Sequence, residues 1–249
     1  MCPESAVIDV DDPGHRLRIE QLLAAHGPDI DGLCRACLSS LPGIGGVGVT
    51  VMTPQTQQVR YASDAVSARV EQLQFLLGEG PCRDAYATAS PVLAGDLHAT
   101  LWREQWPAFA PAAVLAGAQA VFALPLQVGE TGMGVMDLYR DTPGDLADRT
   151  LADALVLAGA VVELILVETA AQAGSDDSLT AGGSDHLLQR AVVHQATGMI
   201  SVQAGVPVED ALARLRAHAF AAGLDLDAIA ADVVARRLRF DNLADDEDR

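Results

Sequence analysis

The chain has 249 residues, half of them hydrophobic, and its formal net charge is −18 with arginine supplying all 16 basic residues. The apolar content excludes wholesale disorder and suffices for two domains, while aromatics at 4% leave the cores to Ala, Val and Leu. The charge excludes indiscriminate nucleic-acid binding, since phosphate contacts need local positive charge.

Its distribution is uneven. Residues 1–183 hold 9 Arg against 23 acids, and residues 184–249 hold 7 Arg against 11, four of those acids in Asp245-Asp246-Glu247-Asp248. Residues 1–15 read as an acidic tail without the basic and apolar regions of a secretory signal, which with four cysteines points to the reducing cytosol. The most apolar run, Leu151 to Val167, carries Asp153 and Glu163 and is short for a membrane span. A soluble, cytoplasmic protein with no membrane partner is expected.

Along the chain, helical patterns cover residues 17–26 and 31–41. Gly43-Ile44-Gly45-Gly46 then opens a strand over 47–52, paired as a hairpin with 58–62 through a turn at Pro54. A helix over 66–77 breaks at Gly78-Glu79-Gly80-Pro81-Cys82; a short helix (83–88), a strand (92–94) and a segment with Trp102, Trp106 and Pro107 follow. Residues 120–128 and 132–139 form the clearest hairpin, and a long helix covers 146–173. This order describes an α+β domain, an antiparallel sheet with helices on one side.

Gly78-Glu79-Gly80-Pro81-Cys82-Arg83-Asp84-Ala85, Trp106-Pro107-Ala108-Phe109, Val121–Leu126 and Gly134-Val135-Met136-Asp137-Leu138 resemble a GAF domain, in particular the type that precedes ANTAR domains in actinobacterial regulators. The resemblance spans residues 16–172 and implies a sensory domain that binds an unidentified small ligand, or a partner, between sheet and loop. Trp102, Trp106 and Phe109 could line such a pocket, although filling the core beneath the loop is the plainer role. Within the closing helix, Leu151, Leu155, Ala158, Val162 and Ile165 alternate steps of four and three, a heptad seam through which two copies would dimerise. The alternative is that they pack on the sheet. Residues 173–183, rich in Gly and Ser, read as a flexible linker.

Residues 184–242 read as three short helices. Leu188, Val192, Ala196 and Met199 form one stripe, and Val208, Ala211, Leu212, Leu215 and Ala219 form a second after Gly205-Val206-Pro207. A third helix has Asp225 as N-cap, Leu226, Ile229 and Val233 inside, and Arg236, Arg237 and Arg239 in its last turn. Gln195-Ala196-Thr197-Gly198, Glu209-Asp210-Ala211-Leu212, Leu215–Ala219 and Asp227-Ala228-Ile229-Ala230 resemble the ANTAR domain, an RNA-binding module of bacterial antitermination regulators. The resemblance implies a homodimeric, signal-responsive antitermination regulator whose partner is a structured RNA, a tandem pair of small-loop hairpins. The RNA-contacting residues expected are Thr197, Gly198, Arg214, Arg216, Arg236, Arg237 and Arg239. The family usually has lysine where this chain has Thr197, and a basic residue where it has Leu224-Asp225. Those departures motivate an alternative, an adaptor dimer whose bundle has lost RNA affinity and makes protein contacts. A receiver domain is disfavoured, because the paired acids and late lysine it needs are missing.

No enzyme is expected: the sequence has no GxSxG serine, no Walker lysine and no GxGxxG opening a helix after a strand. No cofactor and no metal is expected either. Cys34 and Cys37 form a lone CxxC without two further ligands at matching spacing, and the histidines lack metal spacing. Cys82 starts a helix, where a thiol pKa can fall, which makes it the best redox candidate beside a plain structural role. His194 and His218 could stack on RNA bases.

Overall fold

A computed structural model describes residues 13–26, 29–53, 57–173, 184–222, 224 and 226–240. The acidic tails, the linker at 174–183, the Pro54 turn and the Asp225 N-cap lie outside the described residues. The chain divides into two compact units, Met1–Asp176 and Asp177–Arg249.

The N-terminal unit runs α1 (Pro13–His26), α2 (Ile30–Ser40), β1 (Gly46–Met52), β2 (Gln57–Ala62), α3 (Ala65–Leu77), α4 (Pro81–Thr88), β3 (Val92–Ala94), α5 (Thr100–Gln105), α6 (Phe109–Ala116), β4 (Ala120–Val128), β5 (Thr131–Arg140) and α7 (Asp148–Ala173). The strands form an antiparallel sheet in the order β2-β1-β5-β4-β3. The expected α+β architecture stands, but helices cover both faces rather than one.

Strand alternation shows why. Phe122, Leu124 and Leu126 of β4, Met136 and Leu138 of β5, and Val47 and Val49 of β1 share one core with α1, α2 and α7. The opposite parity, with Val121, Ala123, Val135 and Tyr139, packs against α3, α4 and α6. A sheet buried on both faces needs near-continuous apolar strands, and β4 is apolar from Ala120 to Leu126. Burying each large side chain contributes roughly 1.5–3 kcal/mol.

The long helix α7 has 26 residues, more than the apolar run read from sequence, and over Asp148–Ala170 it is long and apolar enough to cross a membrane by length and composition alone. Its apolar face lies against the sheet. Ala158, Val162 and Ile165 are buried there, and Leu151 and Leu155 are half-buried against the same core. The heptad seam expected to dimerise is therefore occupied within the unit: its spacing served sheet packing. Arg60 of β2 holds Glu168 of α7 through two N–H bonds of 2.8 and 3.1 Å, and Arg18 of α1 pairs with Asp153.

Helix α3 begins in a reciprocal cap. Asp64 accepts from the Ser67 backbone N–H at 2.8 Å, and the Asp64 N–H donates to the Ser67 hydroxyl at 3.1 Å. The Tyr139 hydroxyl donates to the same carboxylate at 2.8 Å, tying α3 to β5. Gly46 permits this approach, because a Cβ there would lie 2.2 Å from the Tyr139 ring. Burial raises the Asp64 carboxyl, but the bonds from Ser67 and Tyr139 outweigh it and leave the pKa below the ordinary value.

Asp64→Ala is expected to destabilise the N-terminal unit by about 1 kcal/mol at neutral pH. Denaturation followed by tryptophan fluorescence reads this unit specifically, since both tryptophans, Trp102 and Trp106, lie in it. Because the folded pKa is depressed, the stabilisation is present above about pH 4 and is lost as pH falls through the folded value. The gap between wild type and variant should therefore narrow on acidification; a gap that does not depend on pH would contradict the assignment.

Candidate nucleic-acid interface

The C-terminal unit consists of α8 (Ser184–Ala204), α9 (Val208–Ala222) and α10 (Leu226–Val234). Its core is built from small and branched residues: Val193, Ala196 and Ile200 of α8, Ala211, Leu215 and Ala219 of α9, and Leu226, Ile229, Ala230 and Val233 of α10. The stripe on α8 is thus shifted from the one read in sequence. Val192 and Met199 are half-buried, and the Leu188 side chain lies outside the described residues. Helix α8 ends at Gly205, whose φ of 64° takes the left-handed cap position. There the Val206 N–H donates to the Ser201 carbonyl at 3.1 Å and the Ser201 hydroxyl donates to the Val206 carbonyl at 2.6 Å.

Helix α10 stops at Val234, so Arg236, Arg237 and Arg239 do not load its last turn as expected. Instead they occupy the turn beyond it. The Arg236 N–H reaches the Val233 carbonyl at 3.0 Å and the Arg237 N–H reaches the Asp232 carbonyl at 2.8 Å, the paired bonds of a Schellman cap. Arg236 holds the left-handed position at φ 57°, where glycine is usual. The chain then returns to Phe240, which is buried; its N–H donates to Gln203 of α8 at 3.0 Å and its ring meets His218 of α9 edge-on at 5.3 Å.

This return creates a shallow groove of about 560 Å³ along α8, with Gln195, Gly198 and Gln203 on one side and Arg236 and Arg239 on the other. Met199 and Val202 supply apolar surface between them. Gly198 is exposed, and a Cβ there would meet open space, so packing does not require glycine. The structure brings together three of the expected contact residues, Gly198, Arg236 and Arg239. It also adds Gln195 and Gln203, missed in the sequence although Gln195 lies three before Gly198, on the same helical face.

The remaining expected residues are placed differently. Thr197 is 2% exposed, and its hydroxyl donates to the Val193 carbonyl one turn back at 2.7 Å. Its expected bond to RNA is corrected: it is a core residue, on the inward face beside Ala196 and Ile200. Arg237 binds Asp232, with its Nε at 2.8 Å, so its charge is engaged within the turn. Arg214, exposed, and Arg216, half-buried, lie on α9 and do not line the groove.

In the N-terminal unit, Trp102 stacks on Trp106 at 4.8 Å, and Phe109 meets Trp106 edge-on. Trp106 and Phe109 are buried in one cluster with Val70, Leu73 and Val121, with the indole N–H of Trp106 donating to Asp84 at 2.9 Å. They fill the core rather than line a pocket. Cys82 is fully buried; burial first, then the charges of Asp137 and Glu71, push its thiol well above the ordinary value. The fall expected at a helix start is overturned, because desolvation and two acids outweigh the helix terminus. Cys34 is buried in the core under α7, and the Cys37 side chain lies outside the described residues.

Residues 184–234 match the family model of the ANTAR domain. Solved structures similar to this chain include the GAF domain region of a putative membrane protein from Geobacter sulfurreducens, 14% identical with a TM-score of 0.46, covering 61% of this chain and 97% of that one. The GAF domain of an Acinetobacter phosphoenolpyruvate-protein phosphotransferase is 11% identical with a TM-score of 0.47, over 67% and 95% of the two chains. A type II free methionine-R-sulfoxide reductase from Thermoplasma acidophilum is 16% identical with a TM-score of 0.39, over 61% and 94%. No curated protein matches the sequence.

The strained turn gives a direct test. Arg236→Gly and Arg236→Ala both remove the charge, but only glycine relieves the left-handed backbone. Calorimetry of the full chain should find the C-terminal unit about 1 kcal/mol more stable with glycine than with alanine. Equal stabilities would show that the turn does not hold Arg236 in this conformation.

Proposed function

We propose, starting from a C-terminal unit that matches the ANTAR domain model, that this protein is a cytoplasmic, signal-responsive regulator that binds structured RNA and promotes transcription antitermination. The observation that carries the reading is the groove of α8, where Arg236 and Arg239 face Gln195, Gly198 and Gln203. In this account the two arginines contact phosphates and hold the RNA in register. The Gln195 amide, with donor and acceptor, and the Gln203 amide N–H, whose oxygen holds Phe240, read unstacked loop bases, and Gly198 lets a base or backbone approach the helix closely. The net charge of −18 repels bulk nucleic acid, so binding depends on a loop shaped to the groove.

The N-terminal unit, with its GAF-like fold, supplies the signal by binding a small ligand or a partner. A tandem pair of hairpins calls for two RNA-binding units, so the active species is a homodimer. Since the heptad seam of α7 packs on its own sheet, pairing uses another surface.

A second reading, an adaptor whose bundle binds protein, is favoured by exposed apolar side chains on the same unit: Phe220 is 72% exposed and Leu224 56%. The two readings separate in a titration of the full chain against a tandem small-loop RNA, with a loop-scrambled RNA as control, across a salt series. Specific binding is expected. Arg236→Ala should lower the slope of log affinity against log salt by about 1. Arg237→Ala should leave the slope nearly unchanged, because Arg237 is paired with Asp232. Absence of specific binding would favour the adaptor.

A further inference from the structure

The sheet face covered by α3 and α4 holds a polar cluster inside an otherwise apolar layer. Thr50 of β1, Asp137 of β5, Glu71 and Gln74 of α3, and Cys82 of α4 are all at most 3% exposed. The Thr50 hydroxyl donates to Glu71 Oε2 at 2.7 Å, and the Gln74 amide donates to Asp137 Oδ2 at 2.9 Å. Gln74 in turn accepts from the Cys82 backbone N–H at 2.7 Å, which fixes the start of α4 against α3. Neutral groups thus position both acids. The second oxygen of Asp137, Oδ1, is buried without a hydrogen-bond partner.

The two carboxylates and the Cys82 sulfur converge, one ligand atom from each lying within 4.8 Å of the others. Two acids and a thiol buried together are unfavourable as anions, so such a cluster must retain protons or take up a cation. Side-chain hydrogen bonds of Glu71 and Cys82 to Asp137 relieve part of this cost, yet they leave Asp137 Oδ1 unpartnered. A cation accounts for all three and for the unpartnered Oδ1. The surrounding backbone leaves room for the acid: a Cβ on Gly48 would lie 2.3 Å from Glu71 Oε1. Burial pushes the Asp137 carboxyl and the Cys82 thiol upward in the structure as it stands, and a bound cation would reverse both shifts.

We propose that Glu71, Asp137 and Cys82 form a binding site for a divalent transition-metal ion of the Zn²⁺ or Fe²⁺ class, between the sheet and helices α3 and α4. The donor set selects the class. Mg²⁺ and Ca²⁺ take oxygen ligands, whereas two carboxylates with a thiolate suit a borderline ion. Bonds of about 2.0–2.2 Å to oxygen and about 2.3 Å to sulfur put tetrahedral ligand atoms roughly 3.4–3.6 Å apart, so a cluster spanning up to 4.8 Å closes by up to about 1.3 Å around the ion. Met52, whose sulfur lies 3.8 Å from the Cys82 sulfur, stands beside the site as an additional soft donor. The inference is independent of the RNA-binding reading.

The test uses the full chain stripped with a chelator and titrated with Zn²⁺ by calorimetry and with Co²⁺ by absorption. One ion per chain is expected, with a thiolate-to-cobalt charge-transfer band in the near ultraviolet. Cys82→Ala should abolish that band, Cys34→Ala should retain it, and Asp137→Asn should weaken Zn²⁺ binding at least tenfold. Circular dichroism and tryptophan fluorescence check that each variant is folded; if Asp137→Asn is not, the cobalt band and its loss in Cys82→Ala decide. No binding, or a cobalt complex whose band survives Cys82→Ala, would overturn the site and leave the two acids sharing a proton.

Discussion

What the C-terminal unit can present to a partner depends on one turn of backbone. After α10, Arg236 adopts the left-handed conformation and two backbone bonds close the helix end, which reverses the chain toward α8. Phe240 then anchors the returning segment through Gln203 and His218. Without that reversal, Arg236 and Arg239 would continue along α10 and would not stand opposite Gly198. A non-glycine residue in this conformation costs on the order of 1 kcal/mol, and this one lines the groove.

The N-terminal unit rests on a different constraint, a sheet with both faces buried. Apolar side chains satisfy the face under α1, α2 and α7. The face under α3 and α4 is mixed, with the caps and buried polar bonds of Asp64, Gln74 and Asp137 linking helix to strand. These links join elements far apart in sequence, and each places a charged or polar group where its partner geometry must be exact enough to offset desolvation. The same requirement makes the Glu71, Asp137 and Cys82 cluster conspicuous, because its acids converge on a thiol with one oxygen still unmatched.

Much of this was legible in the chain. Alternation and turn residues gave the two hairpins and the antiparallel α+β order, and the small-residue spacing of 195–230 gave the three helices. Side-chain direction was harder. Thr197 and Gly198 are adjacent in one motif, yet a rotation of about 100° per residue sends the first into the core and leaves the second in solvent. The seam of α7 is periodic whether it faces a second copy or its own sheet, so spacing could not choose between them. Nor could local sequence reveal that Cys82 sits beside two acids brought from α3 and β5, or that Phe240 returns to Gln203 of α8. Those are products of tertiary structure.

The central claim is that RNA occupies the groove between α8 and the segment after α10. Ultraviolet crosslinking of the full chain to a tandem small-loop RNA, read residue by residue by mass spectrometry, tests it most directly. The account predicts crosslinks and protection at Gln195, Gly198, Gln203, Arg236 and Arg239. Crosslinks concentrated on α9 around Arg214 and Arg216, with the α8 groove unprotected, would contradict it.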